Sequence, residues 1–250
     1  MSAAPVPLHP IDAPGTDERT WAAWPWLTAA PGGPGLLAQA AGVTSAVVVA
    51  AHPDDEVLGA GGLISVLAAA GARLLLVAVT DGEASHRGTA DPAALAEQRT
   101  AETTAALRAL GAGTAEVIRL RLPDAGLAGC EERLTAALAP LVAGFELCLA
   151  PWDRDMHPDH EAAGRAARRA RSGDLYSYPV WMWHWARPAD PRVPWDRALR
   201  IPLPPAAAAA KRAAISCFAS QLGDRGDGLG PVLTAGMTAH FMRATEVLLR

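Results

Sequence analysis

The sequence has few cysteines, no excess of positive charge and no long uncharged apolar run. Its three cysteines in 250 residues show no CxxC spacing, which predicts reduced thiols and not a disulfide framework. A net charge of -4 argues against a protein that binds the phosphates of nucleic acid. No uncharged run reaches the roughly 18 residues of a membrane span, and the first residues lack the pattern of a secretory signal. These absences favour a cytoplasmic protein.

The first 43 residues differ in composition from the rest of the chain. They are rich in proline and glycine and contain three tryptophans, Trp21, Trp24 and Trp26. We therefore predict an N-terminal extension over residues 1–43 that wraps a single domain over residues 44–250. A regular alternation of apolar runs and helical patterns begins at the start of this domain.

That alternation predicts an α/β fold. The predicted strands are 44–51, 73–80, 116–122 and 145–150, and the predicted helices are 56–70, 92–110, 130–143 and 160–171. Strands that alternate with helices form a Rossmann-like, doubly wound and mostly parallel sheet with helices on both faces. Later in the chain, the pattern predicts an aromatic strand over 175–185, a short strand over 199–203 and an alanine-rich helix over 205–222.

Two clusters of polar residues follow predicted buried strands. The first is Ala51-His52-Pro53-Asp54-Asp55-Glu56, and the second is His157-Pro158-Asp159-His160. Acids near a helix start are also explained by favourable interaction with the helix dipole. Capping alone, however, requires neither the histidines nor a second cluster. Because ligands bind at the carboxyl ends of parallel strands, we expect the two clusters to form one site.

The residue types in these clusters are those of a catalytic zinc site. Such a site uses three protein ligands and leaves one position open, and His52, Asp55 and His160 would supply them. A metal there lowers the pKa of a bound water toward neutrality. Asp54 is then the candidate general base, and His157 is the candidate group that stabilises the oxyanion or protonates the leaving amine. This set suits the hydrolysis of an amide or an ester.

The two clusters resemble the signature motifs of the PIG-L/LmbE-like zinc deacetylases. The resemblance extends weakly to Thr80-Asp81-Gly82-Glu83, to the segment from Arg99 to Gly111, to Leu122-Pro123-Asp124 and to Lys211 with Ser220-Gln221. It covers roughly residues 44–250. It implies removal of acetyl from an N-acetylglucosamine-type amino-sugar conjugate and one zinc ion per chain.

The same resemblance assigns roles to individual residues. It implies that His52, Asp55 and His160 bind zinc, that Asp54 is the base, and that His157 assists the oxyanion. Arg99 and Asp124 match positions that bind the sugar. The chain departs from the family at Phe218, where a histidine is common, and in the aromatic stretch Trp181–Trp185. Both departures concern the substrate and not the metal chemistry.

Several alternatives remain at this level. The site could hydrolyse another amide or an ester, or the chain could be a non-catalytic Rossmann-type binding module, and it could form a homo-oligomer. Trp181, Trp183 and Trp185 could form a core stripe or a platform for a sugar. Gly59-Ala60-Gly61-Gly62 has the wrong order for a dinucleotide loop, so we predict close packing of a helix there.

Overall fold

The structure is a computed structural model that describes residues 9–11, 13–29, 42–86, 88, 90–226 and 228–250. Two short helices come first, α1 (Glu18–Ala22) and α2 (Pro25–Thr28). Strands and helices then alternate in this order: β1 (Ser45–Ala50), α3 (Asp55–Ala69), β2 (Arg73–Ala78), α4 (Pro92–Ala109), β3 (Glu116–Arg119), α5 (Glu131–Val142), β4 (Leu147–Pro151) and α6 (Pro158–Ala170).

The C-terminal third is less regular. Its elements are β5 (Tyr176–Tyr178), α7 (Met182–Trp185), β6 (Ala198–Pro202), α8 (Pro205–Ile215), α9 (Ala219–Leu222), α10 (Ala235–Ala239) and β7 (Thr245–Leu249). Single 3-10 turns lie at Leu127–Gly129 and Trp195–Arg197. Most of these helices are a single turn, so loops make up much of this region.

The described strands form one seven-stranded sheet in the order β3-β2-β1-β4-β5-β7-β6. The first five strands of that order are parallel, and β7 pairs antiparallel with both β5 and β6. The predicted α/β, mostly parallel fold is therefore confirmed. Strands β1 and β4, which precede the two polar clusters, are direct neighbours.

Alternate residues of β1 are buried on opposite faces of the sheet. Val48 packs with α3 and α8, whereas Val47 and Val49 pack with α5 and α6. The helix after β1 and the helix after β4 therefore cover opposite faces. A crevice opens at such a switch point beyond the strand ends, and it is the usual ligand site of open α/β sheets.

The glycine-rich start of α3 serves close packing, as predicted. A Cβ added at Gly59 would lie 2.1 Å from the ring of Tyr178, and one at Gly62 would lie 2.3 Å from Leu203. The helix is kinked at Ala60, with φ -141° and ψ 15°. The glycines thus let β5 and the segment after β6 approach the helix that carries Asp55.

A buried ion pair satisfies the backbone groups that this kink frees. Lys211 donates to the carbonyl of Leu58 at 2.8 Å and to Glu246 at 2.7 Å. The same Glu246 carboxylate accepts from the backbone N–H groups of Gly62 and Leu63. Since broken helices leave unpaired donors and acceptors, the pair stabilises both sides of the kink.

The predicted aromatic strand over 175–185 is wrong beyond its first residues. Strand β5 ends at Tyr178, and Met182–Trp185 forms helix α7. Pro179 has no N–H to donate to a strand ladder. Asp155 then accepts hydrogen bonds from the backbone of Val180, Trp181 and Met182, which turns the chain away from the sheet.

Two other predicted bounds change. The helix predicted over 205–222 ends at Ile215 and resumes at Ala219, with the fully buried Phe218 at the break. The strand predicted over 116–122 ends at Arg119 because Arg121 has a positive φ of 50°. Gly71 follows Ala70, the C-cap of helix α3, and has a positive φ of 78°.

The described part of the predicted N-terminal extension packs on the domain. Trp21 is fully buried, and its indole N–H donates to the carbonyl of Trp183 at 2.8 Å. Glu18 accepts from Arg243 and from His240 near the C-terminus. None of the helices formed by the described residues is long and apolar enough to cross a membrane. The boundary at residue 43, the cytoplasmic location and a homo-oligomer stay predictions.

Candidate metal centre and its cavity

The three predicted metal ligands converge at the ends of β1 and β4. His52 lies in the turn after β1, Asp55 begins α3, and His160 lies in the first turn of α6. His52 Nδ1 is 3.2 Å from His160 Nε2. One carboxylate oxygen of Asp55 lies 3.2 Å from His160 Nε2, and the other lies 3.4 Å from His52 Nδ1. All three side chains are buried.

These separations fit a tetrahedral metal site. Ligand atoms held about 2.0–2.1 Å from zinc at tetrahedral angles are about 3.3 Å apart. Asp55 is charged, because His160 and His52 outweigh the effect of burial and hold the pKa of its carboxyl well below the usual range. Two imidazole nitrogens and one carboxylate therefore meet the chemical and spacing requirements of a metal centre.

The outer nitrogen of each histidine faces carboxylates. His52 Nε2 lies 3.2 Å from Asp159 and 3.3 Å from Asp124, and His160 Nδ1 lies 2.7 Å from Asp155. Although burial opposes protonation, Asp55 and Asp155 raise the pKa of His160 to about 9. With a metal bound, carboxylates in these positions would keep the proton on the outer nitrogen and leave the inner lone pair to the metal. The inward lone pairs belong to the two nitrogens that lie beside Asp55.

Other groupings of donor atoms are possible around the same histidine. Donor atoms of His52, His157 and His160 lie within 4.8 Å of one another, as do those of His52, Asp124 and Asp159. The second grouping would use His52 Nε2, which already donates to the two carboxylates. We therefore favour His52, Asp55 and His160, since their donor atoms meet without displacing a proton from that nitrogen.

Asp155 is a functional residue that the sequence reasoning missed. Its side chain is fully buried and accepts hydrogen bonds from four residues, from the imidazole of His160 and from the backbone N–H groups of Val180, Trp181 and Met182. It joins the predicted metal ligand His160 to a wall of the cavity. Only its position between β4 and His157 could have indicated it, because it has no helical spacing to His160.

Asp54, the predicted base, lies in a strained turn. Its φ of 129° is unusual for a residue with a side chain, and Met156, next to His157, also has a positive φ of 65°. Strain of this kind persists where surrounding contacts fix the backbone. Burial raises the pKa of Asp54 to about 7, although Arg99 acts in the opposite direction. A carboxyl with this pKa suits proton transfer near neutral pH.

Arg99 is placed behind the predicted base. Its guanidinium donates to the carbonyls of Pro53 and Gly82 at 2.6 and 3.0 Å and to Asp54 at 3.2 Å. A further N–H, on Nε, is buried without a partner. Arg99 therefore holds Asp54 in place, and its predicted contact with a sugar stays a prediction.

Asp124, the other predicted sugar contact, faces both the cavity and His52. It accepts from the backbone N–H of Ala84 at 2.7 Å, while Glu83 accepts from the backbone N–H of Asp124 at 3.0 Å. Burial opposes ionisation, but His52 and Ala84 lower the pKa of Asp124 to about 2. Its contact with a sugar likewise stays a prediction.

His157 remains neutral beside the converging ligands. Its ring centre is 4.5 Å from that of His160 and 4.9 Å from that of His52. Burial and these two histidines lower the pKa of His157 to about 2. Its Nδ1 is buried and has no hydrogen-bond partner. An unpartnered buried polar atom beside a reactive centre indicates that a ligand completes its contacts.

These residues line a cavity of about 200 Å³. Its other lining residues come from several parts of the chain and are Leu58, Ala84, Ser85, Ala125, Val180, Trp181, Gln221, Arg225, Val232 and Leu233. Trp183 and Trp185 of the aromatic stretch are buried in the core instead. The predicted stripe therefore divides, and Trp181 alone of the three faces the cavity.

Comparisons with known proteins agree with this arrangement. The profile of a family described as PIG-L: GlcNAc-PI de-N-acetylase matches residues 47–171, which is half of the chain. A relative from Catenulispora acidiphila, named 1D-myo-inositol 2-acetamido-2-deoxy-alpha-D-glucopyranoside deacetylase 2, is 31% identical over 153 residues, covering 50% of each protein. The chain spans about half or less of the length of the curated relatives that it matches.

Solved structures share the fold over a larger part of the chain. The conserved protein TT1542 from Thermus thermophilus is 29% identical with a TM-score of 0.55, covering 79% of this chain and 84% of its own. The A40926 pseudoaglycone deacetylase Dbv21 is 22% identical with a TM-score of 0.61, covering 82% of this chain and 96% of its own. The hydratase GalB from Pseudomonas putida KT2440 is 24% identical with a TM-score of 0.53, covering 71% of this chain and 80% of its own. The fold alone therefore does not fix the reaction. The match over half of the chain, which includes both polar clusters, shows that this chain belongs to the PIG-L family.

Proposed function

We propose that this chain is a metal-dependent hydrolase that removes acetyl from an N-acetylglucosamine-type amino-sugar conjugate. The convergence of His52, Asp55 and His160 carries the proposal, because each histidine is also oriented by a carboxylate on its outer nitrogen. The name of the Catenulispora relative supports the acetamido sugar as the substrate. We propose one zinc ion per chain as the resident metal.

The metal would be held by His52, Asp55 and His160. When bound, a zinc ion in such a site lowers the pKa of a water ligand and polarises a carbonyl. Asp54 accepts a proton from the attacking water, since it lines the same cavity and its pKa lies near neutrality. Arg99 keeps the Asp54 carboxylate oriented through one hydrogen bond and fixes its turn through Pro53.

His157 is the proposed donor to the acetamide oxygen as negative charge develops on it. Its neutral imidazole carries one N–H, and its half-buried ring lies on the cavity wall beside the proposed metal ligands. A donor fixed before the reaction stabilises an oxyanion without the cost of reorganisation. The proton that Asp54 takes up is available for the leaving amine, so acetate and a free amino sugar result.

The sugar would lie in the cavity between Trp181 and two polar residues, Asp124 and Arg99. Trp181 offers an aromatic side chain to the cavity, and Asp124 and Arg99, which also line it, offer an acceptor and a donor. A small number of polar groups in a partly apolar pocket is the usual arrangement for a small-molecule site. We propose these three residues as the sugar contacts.

The test is acetate release from a panel of N-acetylglucosaminides, measured before and after treatment with a chelator. We expect release by the isolated protein, loss of release on chelation and recovery on adding zinc. Acyl-exchanged amides and acetate esters in the panel test the alternative hydrolases. Metal without hydrolysis of any panel member would contradict the deacetylase, and absence of both metal and hydrolysis would favour a non-catalytic binding module.

A further inference from the structure

Arg225 is a cavity residue that the proposed reaction does not use. It lies in the loop between α9 and α10, and it lines the same cavity as the proposed metal ligands. Its neighbours on that wall are the apolar Val232 and Leu233 and the amide of Gln221. Arg225 is partly buried there, so a permanent positive charge lies beside apolar neighbours on the cavity wall.

The hydrogen bonds of Arg225 fix its guanidinium and leave one edge open. Nε donates to the carbonyl of Gly230 at 2.9 Å, and Nη2 donates to the carbonyl of Leu229 at 3.0 Å. Among the described residues, these two carbonyls are its partners and no carboxylate pairs with it. The edge formed by Nε and Nη2 is therefore used, and the end formed by Nη1 and Nη2 is available to a ligand.

Arg99, the other arginine of the cavity lining, already has an anionic partner in the protein. Arg99 donates to Asp54 and to two backbone carbonyls, so its charge is compensated inside the protein. Arg225 differs because carbonyl oxygens accept hydrogen bonds without cancelling a full positive charge. A guanidinium end with two parallel N–H groups matches a carboxylate or a phosphate, which accepts both together.

We propose that Arg225 binds an anionic group of the substrate, so that the preferred amino-sugar conjugate carries a carboxylate or a phosphate beyond the N-acetylated sugar. This inference rests on the proposed function for the sugar and adds the charge of the attached group. The metal end of the cavity then holds the acetamide, and Arg225 selects among conjugates by their charge.

The experiment compares three product analogues that need no turnover. Methyl glucosaminide is neutral, glucosamine 1-phosphate carries a phosphate, and carboxymethyl glucosaminide carries a carboxylate. Dissociation constants are measured by calorimetry for the wild type, Arg225→Met, Arg225→Lys and Arg133→Met. Arg133 is exposed on α5 and outside the cavity lining, so its variant controls for the loss of one positive charge.

We expect the wild type to bind at least one anionic analogue about tenfold more tightly than the neutral one, which is the scale of a hydrogen-bonded charge pair. That ratio should fall to near one in Arg225→Met, recover in part in Arg225→Lys and stay at the wild-type value in Arg133→Met. A preference that survives in Arg225→Met would mean that the anion binds the metal instead, and it would overturn the inference.

The acetylated forms of the same three compounds separate this inference from the proposed function. Equal binding of neutral and anionic analogues would overturn the role of Arg225 even if all three acetylated compounds release acetate. A charge preference that depends on Arg225, with no acetate released from any of them, would support the inference and contradict the deacetylase. Which anionic analogue binds more tightly distinguishes a phosphate from a carboxylate.

Discussion

The two halves of the cavity differ in how the chain builds them. The metal half is formed by short turns that follow β1 and β4, so the positions of its side chains depend on regular elements. The substrate half is formed in large part by loops and one-turn helices of residues 175–250, whose side-chain positions depend on tertiary contacts, and Arg99 and Asp124 complete it. Regular elements thus carry the chemistry that a family shares, and irregular segments carry the choice of substrate.

Asp155 connects the two halves. One carboxylate orients His160 and also fixes the backbone from Val180 to Met182, which includes the cavity residue Trp181. A change in the backbone at Trp181 can therefore alter the position of the proposed ligand His160 through the Asp155 side chain. The comparison between the halves predicts different kinds of loss on mutation, and the following variants separate them.

The largest effect is expected from His160→Ala, which removes a proposed ligand. We expect the purified variant to lose its metal and, with it, nearly all acetate release, because two remaining ligands hold a metal weakly. Metal analysis and acetate release measure both effects. The matched control is His184→Ala, which removes a histidine outside the cavity lining. A metal content equal to that of the wild type would refute the ligand role.

Asp54→Asn should leave the metal in place and stop the proton transfer. Loss of a positioned base lowers kcat by about 10²–10⁴-fold. The measurement is kcat together with metal content, with the exposed Asp196→Asn as the control for loss of a carboxylate. Turnover equal to that of the wild type would remove Asp54 from the reaction.

Asp155→Asn should weaken metal binding without abolishing it. Changing a carboxylate that orients a ligand histidine costs about 10–100-fold in metal affinity. Competition with a chelator of known affinity gives that ratio. Asp153→Asn is the control, since Asp153 lies two residues away and pairs with Arg168 at the surface. Equal affinities for both variants would show that Asp155 serves the fold alone.

Trp181→Leu should have the smallest effect and a different kinetic signature. It removes an aromatic wall of the cavity and no proposed metal contact, so we expect KM to rise about 3–10-fold while kcat changes less. Trp195→Leu, at a partly buried tryptophan outside the cavity, is the control. A fall in kcat with unchanged KM would place Trp181 in the reaction and not in substrate binding.

The difference between the halves also explains what could be predicted from the sequence. The convergence of His52, Asp55 and His160 was predictable because buried apolar runs located the strands and because parallel neighbours end at one edge. The partner of Arg99 was not predictable, since nothing in its spacing on α4 indicates a contact with Pro53 and Asp54. Local patterns fix which residues share an element, and the distances between elements arise from packing.

The aromatic stretch shows the same limit within the substrate half. The alternation of Trp181, Trp183 and Trp185 is typical of a strand, but three hydrogen bonds to Asp155 and the missing N–H of Pro179 favour a helical turn. A contact with a residue more than 20 positions away overrides the local pattern. The sequence therefore identified the tryptophans but not which of them faces the cavity.

The most direct test of this account is the position of the bound metal. Diffraction from crystals of the protein purified without chelator, measured on both sides of the zinc absorption edge, locates that metal and identifies it. The account predicts one zinc peak per chain, in coordination contact with His52 Nδ1, His160 Nε2 and the Asp55 carboxylate. A peak held instead by Asp124 and Asp159 on His52 Nε2, or no peak at this edge of the sheet, would contradict it.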